Sequence, residues 1–323
     1  MTCEAISATA VLNLNSTLFN PIPFATPSRT NNSVEYSGSS HRRLRFHSTA
    51  PVNHERRRFV PKVFSSFPSI GAEEFPLLPF PMDQVFIPSE GKTLHLYEAR
   101  YLALLDESLF TRKKCFIHFV LDPIGISDGA EASFAARYGC LVHVEKVERL
   151  DVGALVSIRG IGRGKIVTFV QADPYLKGLV IPVQDVICDC VTKINSQVMV
   201  LKEALNCLNS LEIKLKLLSS VNRHPKEELL QTQISSSVNW AGKECSLDCY
   251  RAFFPSFAER LSFAALQPVS GLTHSELAKL QKEKLRAMDT KDTLQRLDQS
   301  LEFVKNNISM IAAKLAIQSL DAK

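Results

Sequence analysis

The sequence predicts an α+β protein, a small β-barrel domain followed by a C-terminal helical bundle with a long last helix. Three observations lead there. Between Phe75 and Val183, apolar residues recur at every second position in short runs separated by Gly, Asp and Pro, the pattern of half-buried strands. After Asp185 the apolar spacing changes to alternating steps of three and four, the stripe of a helix. The last such stripe, Leu294, Leu297, Leu301, Val304, Ile308, Ile311 and Leu315, keeps the spacing for three heptads.

The N-terminal 64 residues have a different composition. Of the 38 Lys and Arg in the chain, eight lie there, and of the 33 Asp and Glu, only Glu4, Glu35 and Glu55 do. The rest of the chain therefore carries 30 basic and 30 acidic residues, so it is neutral. A neutral chain speaks against a large nucleic-acid footprint, which needs clustered cations to displace counterions from phosphate. Fourteen Ser and Thr, prolines at 21, 23 and 27 and no apolar periodicity mark residues 1–64 as a disordered transit peptide, with cleavage near Val63–Ser66. The first 28 residues contain no Lys or Arg, whereas mitochondrial import favours an Arg-bearing amphipathic helix. The expected address is thus the chloroplast, its stroma ahead of the thylakoid, with the mitochondrion as the alternative. Residues 65–74 read as a linker, 75–188 as the β domain and 189–323 as the helical domain.

Within the β domain, Gln84–Ile87 and Thr93–Leu96 are short extended candidates, and one helix is expected from about Tyr97 to Leu105. Cys115–Leu121 is an apolar run of buried-strand length. Tyr138–Val147 alternates, with Cys140, Val142 and Val144 on one face and His143 and Glu145 on the other. Val156 and Ile158, then Ile166, Thr168 and Val170, then Leu179, Ile181 and Val183 continue that period. Many short strands favour a barrel or sandwich, because closing a sheet removes its pairing edges.

In the helical domain, Ile194, Val198, Leu201, Leu205 and Leu208, continued by Leu211, Leu215 and Leu218, form the first stripe. Phe257, Leu261 and Ala264 form a second, and Ser275–Met288 a third, with Thr273 placed to cap it. The 294–315 seam needs a partner helix. The helix that begins near Ile194 is the expected partner, and oligomerisation through 294–315 is the alternative. No apolar run approaches the ~20 residues that span a bilayer, so the mature chain is expected to be soluble.

Little catalytic chemistry is legible. Gly160-Ile161-Gly162-Arg163-Gly164-Lys165 invites a phosphate-loop reading, but Arg159 and Ile166 stand where the Walker pattern needs Gly and Ser or Thr. A Gly-rich hairpin turn between two strands is the better reading. There is no Gly-x-Ser-x-Gly elbow and no His-Glu-x-x-His helix. Cys188/Cys190 and Cys245/Cys249 lack the knuckle spacing of a zinc site. No catalytic residue, metal or cofactor is assigned, and the chain is read as a non-enzyme.

The most distinctive stretch is Phe75-Pro76-Leu77-Leu78-Pro79-Phe80-Pro81, then Val85-Phe86-Ile87-Pro88, then His95-Leu96-Tyr97-Glu98-Ala99-Arg100-Tyr101. Its prolines suit an extended edge that does not donate to a ladder. Tyr97, Tyr101 and Leu105 share one helical face, Glu98 suits a helix N-terminus, and Arg100 has Glu98 within reach. These residues, with Tyr138-Gly139-Cys140-Leu141, the Arg159–Arg163 segment and Pro174-Tyr175-Leu176, resemble the N-terminal substrate-binding domain of Lon proteases from about Phe75 to Asp185. Ser89, Ala99 and Gly164 depart from that family's glycine, proline and aromatic. The loss of the aromatic at 164 removes an apolar anchor from the strand that follows.

The resemblance implies a barrel related to the pseudouridine-synthase-associated RNA-binding (PUA) fold, joined to a helical bundle and recognising unfolded or tagged polypeptides. The ATPase and Ser-Lys protease motifs that Lon proteases carry further on do not occur in this sequence. It therefore resembles a stand-alone binding domain in organelle proteostasis, with client polypeptides and an organellar protease or chaperone as partners. Candidate binding or signature residues are His95, Tyr97, Glu98, Arg100, Tyr101, Arg159 and Arg163. RNA binding, prompted by Arg159, Arg163 and Lys165, is one alternative function, and a scaffold or accessory protease subunit is another.

Overall fold

The computed structural model describes residues 11–13, 71–125, 133–186, 190–219, 231–244 and 248–321. Seven strands and six α-helices are present among them: β1 Val11–Asn13, β2 Glu73–Pro81, β3 Gly91–Leu96, α1 Ala99–Phe110, β4 Cys115–Gly125, β5 Ser133–Arg149, β6 Ala154–Gln171, β7 Lys177–Val183, α2 Val191–Ser219, α3 Gln233–Ala241, α4 Phe257–Ala264, α5 His274–Asp289 and α6 Thr293–Asp321. Of residues 1–64 only β1 is described, paired with Ser133–Ala135 of β5. The remainder of the transit-peptide reading lies outside the described residues. Glu73 and Glu74, expected in the linker, already pair with Val180 and Leu179 of β7.

The strands close on themselves. β5 pairs with β4, β4 with β2, β2 with β7, β7 with β6, and β6 returns to β5. Only β2 and β4 run parallel; the other pairs are antiparallel. β3 stands outside this ring and pairs with Ala154–Arg159 of β6. The expected alternation is realised where it was clearest, with Cys140, Val142 and Val144 buried. In β7 the phase differs from expectation. Val180 is buried, and Leu179, Ile181 and Val183 are only partly so.

The proline-rich β2 is not an edge. Its first half pairs with β7 and its second half with β4, so each half keeps one side without a ladder where a missing N–H is tolerated. Gln84–Ile87 is not a strand either: Met82–Gln84 makes a 3-10 turn, and Val85, Phe86 and Ile87 then enter the core from a loop.

The largest correction concerns Gly160–Lys165. This segment is not a turn but the middle of an unbroken eighteen-residue strand, β6. Its glycines allow close approach. A Cβ on Gly160 would lie 2.2 Å from the Ile87 carbonyl oxygen, and one on Gly162 would lie 1.7 Å from that of Phe253. At Gly164 the missing aromatic is replaced from another element, because the Phe253 ring lies 3.4 Å from where a Cβ would be.

The helices follow the sequence pattern, except that Leu218 and Phe257, expected on apolar stripes, are exposed at the helix ends. Thr273 caps α5 through the Glu276 amide while the Glu276 carboxylate accepts from the Thr273 amide, a complete capping box. The seam of α6 is occupied within the chain: Leu297, Leu301, Val304 and Ile311 share a core with Val198, Leu201, Leu205, Leu208 and Leu215 of α2. The two helices run parallel. Val191 and Thr293 line one cleft at their starts, while Glu212 and Lys314 reach the neighbouring residues Ser270 and Gly271 near their ends. Barrel and helices also share a core, in which Phe263, Leu266, Leu280 and Met288 join Phe86, Phe116 and Val156. The short α3, capped by Thr232, and the 3-10 segment Asp248–Phe253 have no counterpart in the sequence reading.

Candidate functional site

The signature residues separate into a surface group and a buried group. The surface group lies where β3 ends and α1 begins. Leu94 and Leu96 point into the core and His95 points out, as the strand period requires. The His95 ring donates from Nε2 to the Val152 carbonyl oxygen at 3.1 Å, and its centroid is 5.7 Å from that of Tyr97.

Tyr97 precedes α1 rather than lying on its face, so of the three only Tyr101 and Leu105 help dock the helix, together with the buried Leu104. Glu98 is the N-cap residue, and its carboxylate accepts from Arg100 Nε at 2.7 Å. The Arg100 guanidinium in turn lies 4.6 Å from the Tyr101 ring centroid. Burial raises the Tyr101 phenol above its ordinary range, with the Arg100 charge opposing.

A segment that the sequence reading overlooked completes this surface. The turn between β5 and β6 carries Leu150 and Val152, and Gly153 closes it at φ +89°. A Cβ there would lie 2.3 Å from the Leu96 carbonyl oxygen, so only glycine lets the turn cross the end of β3. Tyr97 and Leu150 are each 40% exposed and Val152 is 69% exposed, an apolar group at a turn where polar residues are usual. Two apolar residues around a turn aspartate, Leu150-Asp151-Val152, are the sequence signal for it. Of the charges beside it, Glu98 is paired with Arg100 and Asp106 with Arg149.

At the other end of β3 lies a polar cleft of about 440 Å³, lined by Gly91, Thr93, Ser157 and Arg159 and by Gln233 and Ser236 of α3. Arg159 forms its floor. It donates to Glu145 Oε1 at 3.0 Å, to the Ser89 carbonyl oxygen at 3.1 Å and to Ser236 Oγ at 3.1 Å. Arg159 is therefore a brace with a single face to the cleft.

Arg163 belongs to the interior and not to any binding surface, which corrects the expectation placed on it. It is 2% exposed. Its guanidinium donates to the carbonyl oxygens of Met288 at 3.1 Å and Thr290 at 2.7 Å, to Glu259 Oε1 at 2.9 Å and to Asp185. Arg296 meets the same two carboxylates from α6. Burial alone would raise the Asp185 carboxyl, but hydrogen bonds and charge from Arg296, with help from Thr293 and Arg163, hold it below its usual range. At Glu259 burial prevails over the Arg163 charge and the carboxyl is raised. Arg163 thus fastens strand β6 to α4, to the end of α5 and to the β7–α2 connection.

Two further chemistry-bearing side chains, His118 and Cys140, are buried in the core. His118 is buried, stacked on Phe80 at 4.1 Å between centroids. Burial, with the Lys92 and Lys284 charges nearby, holds its imidazole well below the ordinary range. Burial raises the Cys140 thiol far out of reach of thiolate chemistry. No group of three or more His, Cys, Asp or Glu suited to a metal ion occurs among the described residues. Cys188 and Cys245 lie outside them. No helix among them is long and apolar enough to cross a membrane.

The family described as ATP-dependent protease La (LON) substrate-binding domain matches residues 74–248. Among solved structures, the N-terminal domain of the Mycobacterium avium complex Lon protease is 14% identical, with a TM-score of 0.39, covering 72% of this chain and 98% of that one. A Lon N-terminal domain protein from Xanthomonas campestris is 19% identical, with a TM-score of 0.36, covering 71% and 98%. No curated protein sequence matches.

Proposed function

This chain belongs to the Lon substrate-binding domain family, and from that premise we propose that it binds exposed apolar segments of unfolded polypeptides at the Tyr97–Leu150–Val152 surface. The observation that carries the reading is the coincidence of that exposed apolar surface with the His95–Tyr101 signature. Side chains of this kind, left in water by a folded chain and rimmed by paired charges, suit a partner that is itself apolar. Binding requires neither nucleotide nor a nucleophile, and we read the chain as a recognition module that does not cut its clients. The Ser-rich, acid-poor N-terminal segment supports delivery to an organelle, the chloroplast first, where a protease or chaperone would receive those clients.

RNA binding is the weaker reading, because the Arg163 guanidinium is buried with both Nη atoms bonded in the interior and Arg159 is held by Glu145. A scaffold built on the 294–315 seam is weaker for a similar reason, since α2 already fills that seam.

The test is titration of the purified chain against fluorescent, reduced and carboxymethylated α-lactalbumin, with and without ATP. Binding that is indifferent to ATP and weakens at least about tenfold in a Tyr97→Ala/Val152→Asp double variant is the expected outcome. Undiminished binding by a folded double variant would overturn this site. Casein incubated with the chain and ATP is expected to stay intact, and its cleavage would overturn the non-catalytic reading.

A further inference from the structure

We infer that the open edge of β3 is a strand-acceptor site, so that a client is held by its backbone in extended form as well as by its apolar side chains. This rests on the reading above and names how that same surface takes its ligand. β3 pairs with β6 on one side only. Among the described residues, no other backbone group bonds to Gly91–Leu96.

Which groups face outward follows from the register. The Ser89 amide donates to the Gly160 carbonyl oxygen at 2.9 Å, and the Gly160 amide donates to that of Glu90 at 2.9 Å. Gly160 is therefore a hydrogen-bonded position, and alternation along β6 makes Ile158, Val156 and Ala154 the next ones. Their partners are Lys92, Leu94 and Leu96. The N–H and C=O groups of Thr93 and His95 consequently point to the open side. Thr93 and Ser157, opposed at a non-bonded pair where side chains approach closely, have their hydroxyl oxygens 3.4 Å apart, as this phase requires.

The surroundings select the occupant. The six residues of β3 span ~20 Å, enough for one short extended segment. One end opens on the apolar Tyr97–Val152 surface and the other on the hydroxyl-rich cleft beside Ser236. Glu98 is paired with Arg100, Arg149 with Asp106 and Arg159 with Glu145, and Lys92 at one end and Asp151 at the other are one cation and one anion, so the strip carries no net charge. A neutral segment rich in β-branched and aromatic residues matches it, whereas acidic or basic segments do not. Backbone pairing makes the choice tolerant of sequence, which suits recognition of unfolded chains.

The experiment alters only the ligand. The probe is the fluorescent peptide Ser-Val-Thr-Val-Phe-Thr-Val-Ser, compared with two versions that are N-methylated on alternate residues. Strand addition uses amides of one parity, so one methylated version should bind at least about tenfold more weakly and the other within about twofold of the parent. Binding of the parent should also slow amide exchange at Thr93 and His95. Equal affinity of the two methylated versions, whether both strong or both weak, overturns strand addition. If that happens while the Tyr97→Ala/Val152→Asp variant still loses α-lactalbumin, the apolar surface stands and only the backbone mode falls. If the chain binds neither probe, both readings fall.

Discussion

Arg163 on β6 and Glu259 on α4 form an ion pair with 2.9 Å between Nη2 and Oε1 and with both side chains almost wholly buried. Asp185 and Arg296 complete the cluster, so two cations and two carboxylates balance where strand and helices meet. Removing one cation leaves a buried carboxylate without its partner. Arg163→Met is expected to cost about 3–5 kcal/mol of stability. Arg163→Lys should recover only part, because an ammonium cannot reproduce a fork that reaches two carboxylates and two carbonyls. Chemical denaturation measures both, and wild-type affinity for unfolded clients in the fraction that stays folded would confirm that this arginine is no ligand contact.

Gly162 makes a second expectation. Its Cα faces the Phe253 carbonyl so closely that any side chain must push the 248–255 segment off the barrel. Gly162→Ala should destabilise by about 1–3 kcal/mol through overpacking, lowering the melting temperature by several degrees. Gly71→Ala, with nothing within 4 Å of the added carbon, is the control and should melt like the parent.

These two residues also show which parts of the molecule can be read in advance. Cys140, Val142 and Val144 declare their strand because one local alternation decides their burial. The α6 stripe declares its helix in the same way, and Thr273 and Glu276 declare the start of α5. Gly160–Gly164 misleads, because glycine serves turns and close approaches alike, and the deciding atoms belong to Ile87 and Phe253 in distant segments. Arg163 misleads for a related reason: its partners come from the β7–α2 connection, from α4 and from the end of α5, so nothing near it in the chain signals burial. The surface at Tyr97 is half legible. The signature marks one side of it, but Leu150 and Val152 arrive through a hairpin whose register only the folded barrel sets.

The seam of α6 supplies a third test. Val304 is buried against α2, so Val304→Asp places an uncompensated charge in the helical core and should unfold the bundle. Leu320 lies on the same helix but is exposed, and Leu320→Asp should leave stability within about 0.5 kcal/mol. Light scattering should show no change of assembly in the Leu320 variant. A folded Val304→Asp protein with a smaller mass than the parent would mean that the seam joins two chains rather than two helices of one.

Acid sensitivity should trace to His118. Its ring is buried against Phe80 and Phe86, both ring nitrogens lack a hydrogen-bond partner, and Lys92 and Lys284 add positive charge nearby. Burial comes first and those charges second in holding the folded-state pKa well below the ordinary 6.5. The unfolded chain therefore takes up a proton near pH 6.5 that the folded chain refuses. Above that pH the histidine is neutral in both states and contributes no pH dependence. As the pH falls below 6.5, unfolding gains a proton and stability drops, by up to about 1.4 kcal/mol per pH unit, until the folded-state pKa is reached. His118→Phe keeps an aromatic ring against Phe80 and removes the titration. Its stability, measured by urea denaturation from pH 7.5 to 5, should fall less steeply than that of the parent, with the two profiles running parallel above pH 7. Identical slopes throughout would assign the acid sensitivity to another group, with His143 next in line, since burial lowers its pKa as well.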